Sequence, residues 1–171
     1  MYDSLKLLLA EIQDAPRCYE ILDSGRKFQR EQGFIQWPDN YPLPEDVEED
    51  IQNGSAYKIL LKGIIVGYMC ISFDGEPTYE YIEGAWKKDV PYAVVHRIAF
   101  APEVRGKRTG DKVIPLIEQV VREKGFSSIR LDTDFPNLRM QHMVERNGFE
   151  KCGIIYVRNH EGRIAYEKDL A

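Results

Sequence analysis

Cysteine is scarce in this chain. Cys18, Cys70 and Cys152 stand far apart among 171 residues. No C-x-x-C pair is available to clip a metal or a redox disulfide, and an odd, sparse set reads as reduced thiols in a cytoplasmic protein. Long apolar runs are missing too. None approaches the roughly 20 residues that span a bilayer, and the first residues lack the charged-then-apolar pattern of a signal peptide, so no membrane association is expected. Positive charge is in deficit, 23 Lys and Arg against 28 Asp and Glu, which leaves a net charge of −5. A dedicated nucleic-acid binder carries a net basic footprint, and that class is disfavoured. Only three histidines occur, and no three histidines or carboxylates show metal-ligand spacing, so no metal is expected. Internal repeats and low-complexity linkers are absent. What remains is 43% hydrophobic and 11% aromatic residues, enough to bury a core in a single domain over residues 1–171.

The pattern of elements is mixed. Leu5–Ala10 suits a first strand. Asp14-Ala15-Pro16 opens a helix, with Asp14 placed to cap it and Pro16 in the first turn, and Gly33 stops it. A loop with three prolines runs from Trp37 to Pro44, then a short helix covers Glu45–Gln52. Ala56–Leu61 and Ile64–Phe73 are β-rich and split by Lys62-Gly63, which reads as a hairpin. Gly75–Val90 is polar and looks like a long connection. Tyr92–Phe100 is the strongest strand, apolar nearly throughout as a strand covered on both faces would be. Thr109–Lys124 is the best helix, its stripe formed by Val113, Leu116, Ile117, Val120 and Val121, with Pro115 expected to kink its first turns. A strand at Ile129–Thr133, a helix at Asn137–Asn147 and a hairpin of Phe149–Val157 with Arg163–Leu170 complete the chain. Two strand-helix-strand crossovers among hairpins imply an α/β (α+β) fold, with a mixed, largely antiparallel central sheet and helices on both faces.

The informative stretch is Pro102–Gly110, PEVRGKRTG, between the strongest strand and the best helix. Glycines and cations at a strand-to-helix turn favour an anion: the first N–H groups of the helix point outward, the helix dipole adds partial positive charge, and glycine lets the backbone come close. Between Glu103 and Lys112 four bases face two acids, a local excess of positive charge in an acidic protein. A bound phosphate or pyrophosphate is one reading, and a solvated turn with bases for solubility is the other. A nucleoside triphosphate loop is disfavoured, because its pattern needs Gly at Ala101 and Ser or Thr at Arg108. The dinucleotide pattern after a first strand is also absent.

The run HRIAFAPEVRGKRTGDKVIPLIE, followed by NLRMQHMVERNGFEKCG, resembles the two core motifs of the GNAT superfamily of acetyl-CoA-dependent N-acetyltransferases. Arg105, Gly106, Thr109 and Gly110 fit the first motif, and Asn137, Met140, Gly148 and Phe149 the second. The close match covers Val94–Gly153, 60 of 171 residues. The resemblance implies a GNAT-like acyl-CoA N-acyltransferase fold and acetyl-CoA as cosubstrate. The loop residues Arg105, Gly106, Lys107, Arg108, Thr109 and Gly110 would hold its pyrophosphate, and the backbone of Ile98, Ala99 and Phe100 its pantetheine arm, between the central strand and the next parallel one. Asn137 and Met140 would contribute from the second motif. The implied reaction is direct attack of an amine on the thioester in a ternary complex, with the protein acting as a monomer or homodimer. A rival reading is a degenerate member that binds acetyl-CoA as a sensor without turnover, and another is a phosphate- or nucleotide-binding module without acyl chemistry.

Two departures from the family pattern stand out. Arg108 occupies the place of its middle glycine, so it must accept that backbone shape or let its side chain swing outward. Val144 stands where many relatives carry a Tyr that protonates the leaving thiolate, so no acid carries over. As a base, His96 is placed on the central strand, two residues before Ile98 and on the same face by alternation, with an ordinary pKa near neutrality. A hydrogen-bonded core histidine is the other reading of it. Tyr156 is the second candidate base. Cys152 reads as a buried structural cysteine rather than a nucleophile. Asp39, Glu45, Asp46, Glu48, Glu49 and Asp50 lie together with no base among them. They stabilise a helix start or form an acidic rim for cationic amines.

Overall fold

The computed structural model describes residues 4–171. Its elements run β1 (Lys6–Leu9), α1 (Ala15–Glu31), α2 (Pro44–Gln52), β2 (Ala56–Leu61), β3 (Ile64–Ser72), β4 (Glu83–Gly84), β5 (Ala93–Phe100), α3 (Thr109–Glu123), β6 (Ser128–Thr133), α4 (Leu138–Arg146), β7 (Glu150–Val157) and β8 (Glu161–Asp169). The strands belong to one mixed sheet in which the β1–β2, β2–β3, β4–β7, β6–β8 and β7–β8 pairs are antiparallel and β5–β6 is parallel. Two compact units divide the chain: one holds residues up to Ile71 together with His96–Leu116, the other Ser72–Val95 and Ile117–Ala171. β5 contributes to both.

In the first unit, β1, β2 and β3 form an antiparallel meander. Its second hairpin turns on Lys62 and Gly63, both with positive φ of 53° and 76°, the pair of left-handed residues that a two-residue turn matching strand twist requires. The buried core includes Cys18, Ile21 and Leu22 of α1, Val47 of α2, and Ile59, Tyr68, Met69 and Ile71 of the hairpin. Asp14 does not cap α1 with its side chain. Its carboxylate instead accepts from the Glu11 N–H at 2.8 Å and from Lys58 Nζ at 2.7 Å. The Lys58 ammonium of β2 is the stronger competitor for an ionised oxygen. Gly67 marks a close approach: a Cβ there would lie 2.6 Å from Ile59 Cδ1 and 3.2 Å from the carbonyl oxygen of Ala99.

In the second unit, the start of β5 pairs in parallel with β6 at Ala93–Ile129 and Val94–Arg130, and β8 lies antiparallel between β6 and β7. Tyr79, Val94, Ile155 and Ala165 form a buried cluster, with Trp86 and Tyr92 packed against it. Arg130 is sandwiched, its guanidinium carbon 4.2 Å from the Trp86 ring centroid and 4.0 Å from that of Tyr92, while Nε donates to Glu167 at 2.6 Å. The polar stretch read as a plain connection contains β4, a two-residue strand on β7. Such a strand shows no alternation in sequence. It depends on Gly153, where a Cβ would lie 2.1 Å from the Glu83 carbonyl oxygen.

The buried face of α3 differs slightly from the sequence stripe. Val113, Ile114, Ile117 and Val121 are buried, whereas Leu116 and Val120 are half-buried. Pro115 lies within the continuous helix, at an exposed position.

Candidate active site

The turn between β5 and α3 begins with a single 3-10 turn at Pro102–Val104, then Arg105 in an extended conformation, then Gly106 at φ 73°. Thr109 Oγ1 donates to the Val104 carbonyl at 2.7 Å and is buried, which ties the first turn of α3 back to the start of the loop. Gly110 is buried in that turn. The N–H groups of a helix's first turn have no partner within the helix. Here they are presented by a loop that adds Lys107 and Arg108 at exposed positions.

Arg108 does both things that the departure from the family pattern demands. Its φ is +58°, the left-handed region that costs a non-glycine residue about 1–2 kcal/mol. Its side chain turns outward, where Nη1 donates to Asp111 Oδ2 at 3.1 Å. The loop thus keeps a glycine-like backbone with an arginine in it.

Arg105 behaves differently from its neighbours. Nε donates to the Phe100 carbonyl at 3.1 Å, Nη2 to Ser24 Oγ at 3.0 Å, and the guanidinium stands 4.4 Å from the Phe28 ring centroid. These interactions are with α1 and the end of β5. The side chain anchors the loop, a role that spacing alone does not suggest.

The second half of β5 carries a left-handed residue. Arg97 has φ +53° in mid-strand, which breaks the two-residue alternation of side chains. His96 and Ile98 therefore cannot be assigned to one face by counting. Arg97 is held on three sides: Nε and Nη2 donate to Asp50 Oδ2 and Oδ1 at 3.1 and 2.6 Å, and Nη1 to the Tyr41 hydroxyl at 2.7 Å. The Tyr68 hydroxyl donates to the same Asp50 carboxylate. Asp50 is buried and Tyr68 fully so. Burial, followed by the Asp50 charge, pushes the Tyr68 phenol well up from its usual value.

His96 is half-buried. Burial first, then the Arg97 charge, pushes it down from 6.5 to about 4, against an opposing pull from Asp50. The near-neutral value expected of a free histidine does not hold at this position. The imidazole is neutral throughout the physiological range and offers a lone pair rather than a charge, as a weaker base than a free imidazole.

Half of the acidic cluster read as a possible rim is spoken for. Asp39 pairs with Arg30 at 2.7 Å, Asp46 accepts from the Leu43 N–H at 2.6 Å at the head of α2, and Asp50 is buried on Arg97. Glu45, Glu48 and Glu49 are exposed on α2.

In the second unit, Asn137 is the N-cap of α4, its Oδ1 accepting from the Met140 N–H at 3.2 Å. Gln141 is buried and donates to the carbonyls of Asp134 and Phe135 at 3.2 and 2.7 Å, fixing the chain before the helix. Val144 is fully buried, so a hydrophobic side chain fills the position of the family's Tyr. Tyr156 stacks on His160 with centroids 4.1 Å apart, and a hydrogen bond to Glu83 raises its phenol pKa, which keeps it protonated near neutral pH and so unavailable as a base. Cys152 is buried, and desolvation raises its thiol, as an inert cysteine requires. Among the described residues no three His, Cys, Asp or Glu side chains are grouped to hold a metal, and no helix is long and apolar enough to cross a membrane.

This architecture matches known proteins. An acetyltransferase of the GNAT family from Streptococcus agalactiae superposes with a TM-score of 0.87 at 26% identity, over 99% of this chain and 97% of its own. The aminoglycoside acetyltransferase AAC(6')-Ib, solved with paromomycin and acetyl-CoA, gives a TM-score of 0.72 at 21% identity over 98% and 94% of the two chains. The ribosomal-protein-S18-alanine N-acetyltransferase of Escherichia coli gives 0.66 at 14% identity over 98% and 94%. At such identities the last two share the fold alone. No curated protein matches the sequence significantly. The model of the acetyltransferase (GNAT) family matches residues 13–149, and on that match, with the loop and sheet that carry it, the chain belongs to the GNAT family of acetyltransferases.

Proposed function

We propose that the protein is an N-acetyltransferase that moves an acetyl group from acetyl-CoA to a primary amine of a small molecule or peptide, by direct attack in a ternary complex. The observation that carries this reading is the turn between β5 and α3. There, Gly106 and Arg108 adopt left-handed backbone and lead into a helix start flanked by exposed cations. The arrangement suits a pyrophosphate. Backbone amides of Gly106, Lys107, Arg108, Thr109 and Gly110 would bind its oxygens, and Lys107 would supply charge. The Arg105 side chain would act by holding the loop. The polar backbone of Ile98, Ala99 and Phe100 would take the pantetheine arm and polarise the thioester carbonyl, and catalysis would come mainly from positioning. His96, neutral at physiological pH, would accept the proton of the attacking amine directly or through water. A cytoplasmic setting is supported by three buried, unpaired cysteines.

Acetyl-CoA offered with a panel of polyamines, aminoglycosides and peptides, read by release of free thiol, tests the reading. Amine-dependent release is the expected result. Tight acetyl-CoA binding without turnover on any amine would instead favour a sensor, a reading supported by the buried Val144 at the place of the usual acid.

A further inference from the structure

We propose that Arg97 and Asp50 are a positioning pair that locks the backbone of β5 in the shape needed to polarise the acetyl carbonyl. This rests on the acetyl-CoA reading above and adds to it the residues that set the geometry. A left-handed arginine inside a strand is a backbone outlier that persists only where its surroundings hold it. In an ordinary strand, successive peptide groups alternate in direction. A left-handed residue reverses that alternation, so the peptide groups after Arg97, those of Ile98 and Ala99, point where a regular strand would not send them.

The surroundings that impose this shape all lie in the first unit. Asp50 grips two guanidinium nitrogens, Nε at 3.1 Å and Nη2 at 2.6 Å, so that the planar fork is fixed in orientation as well as place. Tyr41 accepts from the third nitrogen at 2.7 Å. Asp50 is itself oriented by the Tyr68 hydroxyl from β3. The loop that carries Tyr41 is pinned in turn, because buried Arg26 of α1 donates to the carbonyls of Pro38, at 3.2 Å, and Pro42. The loop before α2 and the last turn of α2 are thereby fastened to one residue of β5. A surface ion pair would not need such backing. This one, with Asp50 buried and Arg97 nearly so, looks inward to the strand and not outward to a ligand.

The test uses acetyl-CoA labelled with carbon-13 at the carbonyl, bound to the full chain and read by infrared difference spectroscopy, with CoA and acetyl-CoA affinities measured by calorimetry. In the unmodified protein the carbonyl band should lie below that of free acetyl-CoA. In Asp50→Asn and Arg97→Lys it should move back toward the free position and broaden, and acetyl-CoA should lose affinity several-fold more than CoA, whose thiol has no carbonyl to hold. Arg97→Gly accepts the left-handed backbone without the lock and should broaden the band as well. A merely structural pair would lower the melting temperature and leave the band where it was. If Asp50→Asn does not fold, Tyr41→Phe, which removes one acceptor and keeps the ion pair, should give a smaller shift in the same direction. An unmoved band in folded variants overturns the lock while the acetyl-CoA reading stands. Failure of the unmodified protein to bind acetyl-CoA overturns both.

Discussion

The guanidinium of Arg105 lies over the ring of Phe28 at 4.4 Å from its centroid and donates to the carbonyl of Phe100. The loop is therefore braced from within by the residue that a motif reading would aim at the ligand. Bracing and phosphate contact can be told apart by salt. Arg105→Lys loses the fork and the stacked plane, so CoA affinity should fall, by roughly a factor of 10 if about 1.4 kcal/mol of loop order is lost. An anchor's loss should be the same at 50 and 500 mM salt, whereas Lys107→Gln should cost less as salt rises and screening grows. A salt-sensitive loss for Arg105→Lys would return its side chain to the phosphate.

Arg108→Gly should preserve or tighten CoA binding. The substitution removes a left-handed side-chain penalty of about 1 kcal/mol and an exposed ion pair to Asp111, and such pairs contribute about 0–1 kcal/mol. A melting curve and a calorimetric titration measure the two parts. A large drop in affinity would assign Arg108 a phosphate contact of its own.

Gly110→Val puts a branched side chain at a buried position in the first turn of α3, where the backbone would come close to the pyrophosphate in the proposed complex. The folded variant should lose most of its CoA affinity. Affinity equal to that of the unmodified protein would move the site elsewhere.

Asn137 caps α4 through the Met140 N–H. Loss of that cap in Asn137→Ala should cost about 1 kcal/mol of stability. If Asn137 also serves the cofactor, CoA affinity falls with it, and equal dissociation constants would leave the cap as its whole role.

His96 links pH to both stability and rate. Its folded pKa of about 4 is below its ordinary 6.5, so between these values the unfolded chain binds the proton and the folded chain does not. Stability contributed by burying neutral His96 is full above about pH 6.5 and is lost as pH falls toward 4. His96→Gln should flatten that part of an acid-denaturation curve. The rate should show no histidine inflection near neutrality. kcat/KM should instead rise with pH as the ammonium substrate, with a pKa near 10, releases its proton. His96→Ala should lower kcat/KM, by at most about 10²-fold since a base of pKa about 4 is poorly matched to neutral pH, and a near-normal rate and profile would remove it from the mechanism.

Local physics was legible in the chain before any fold was known. The spacing of Val113, Ile117 and Val121 marked α3, because a helix repeats its faces every 3.6 residues whatever lies beside it. Lys62-Gly63 marked a hairpin because a two-residue turn needs residues that tolerate positive φ. The glycines and cations of Arg105–Gly110 suggested an anion loop for the same local reason, with a solvated turn as the other reading, and the resemblance to GNAT proteins rested on that stretch together with Asn137, Met140, Gly148 and Phe149. The rest depended on residues distant in sequence. Asp50 and Arg97 are 47 positions apart, and nothing in either one's neighbours announces the other. Arg105 turns inward because α1 presents Ser24 and Phe28 to it, and β4 is a strand only because Gly153 lets Glu83 approach β7. His96 has a histidine's ordinary pKa in the sequence and a much lower one in the fold, since desolvation and a neighbouring cation exist only once the chain has closed around them. Periodicity and turn chemistry act within a few residues and are written in order along the chain, whereas ion pairs, burial and the pKa values they set come from contacts that only the tertiary structure makes.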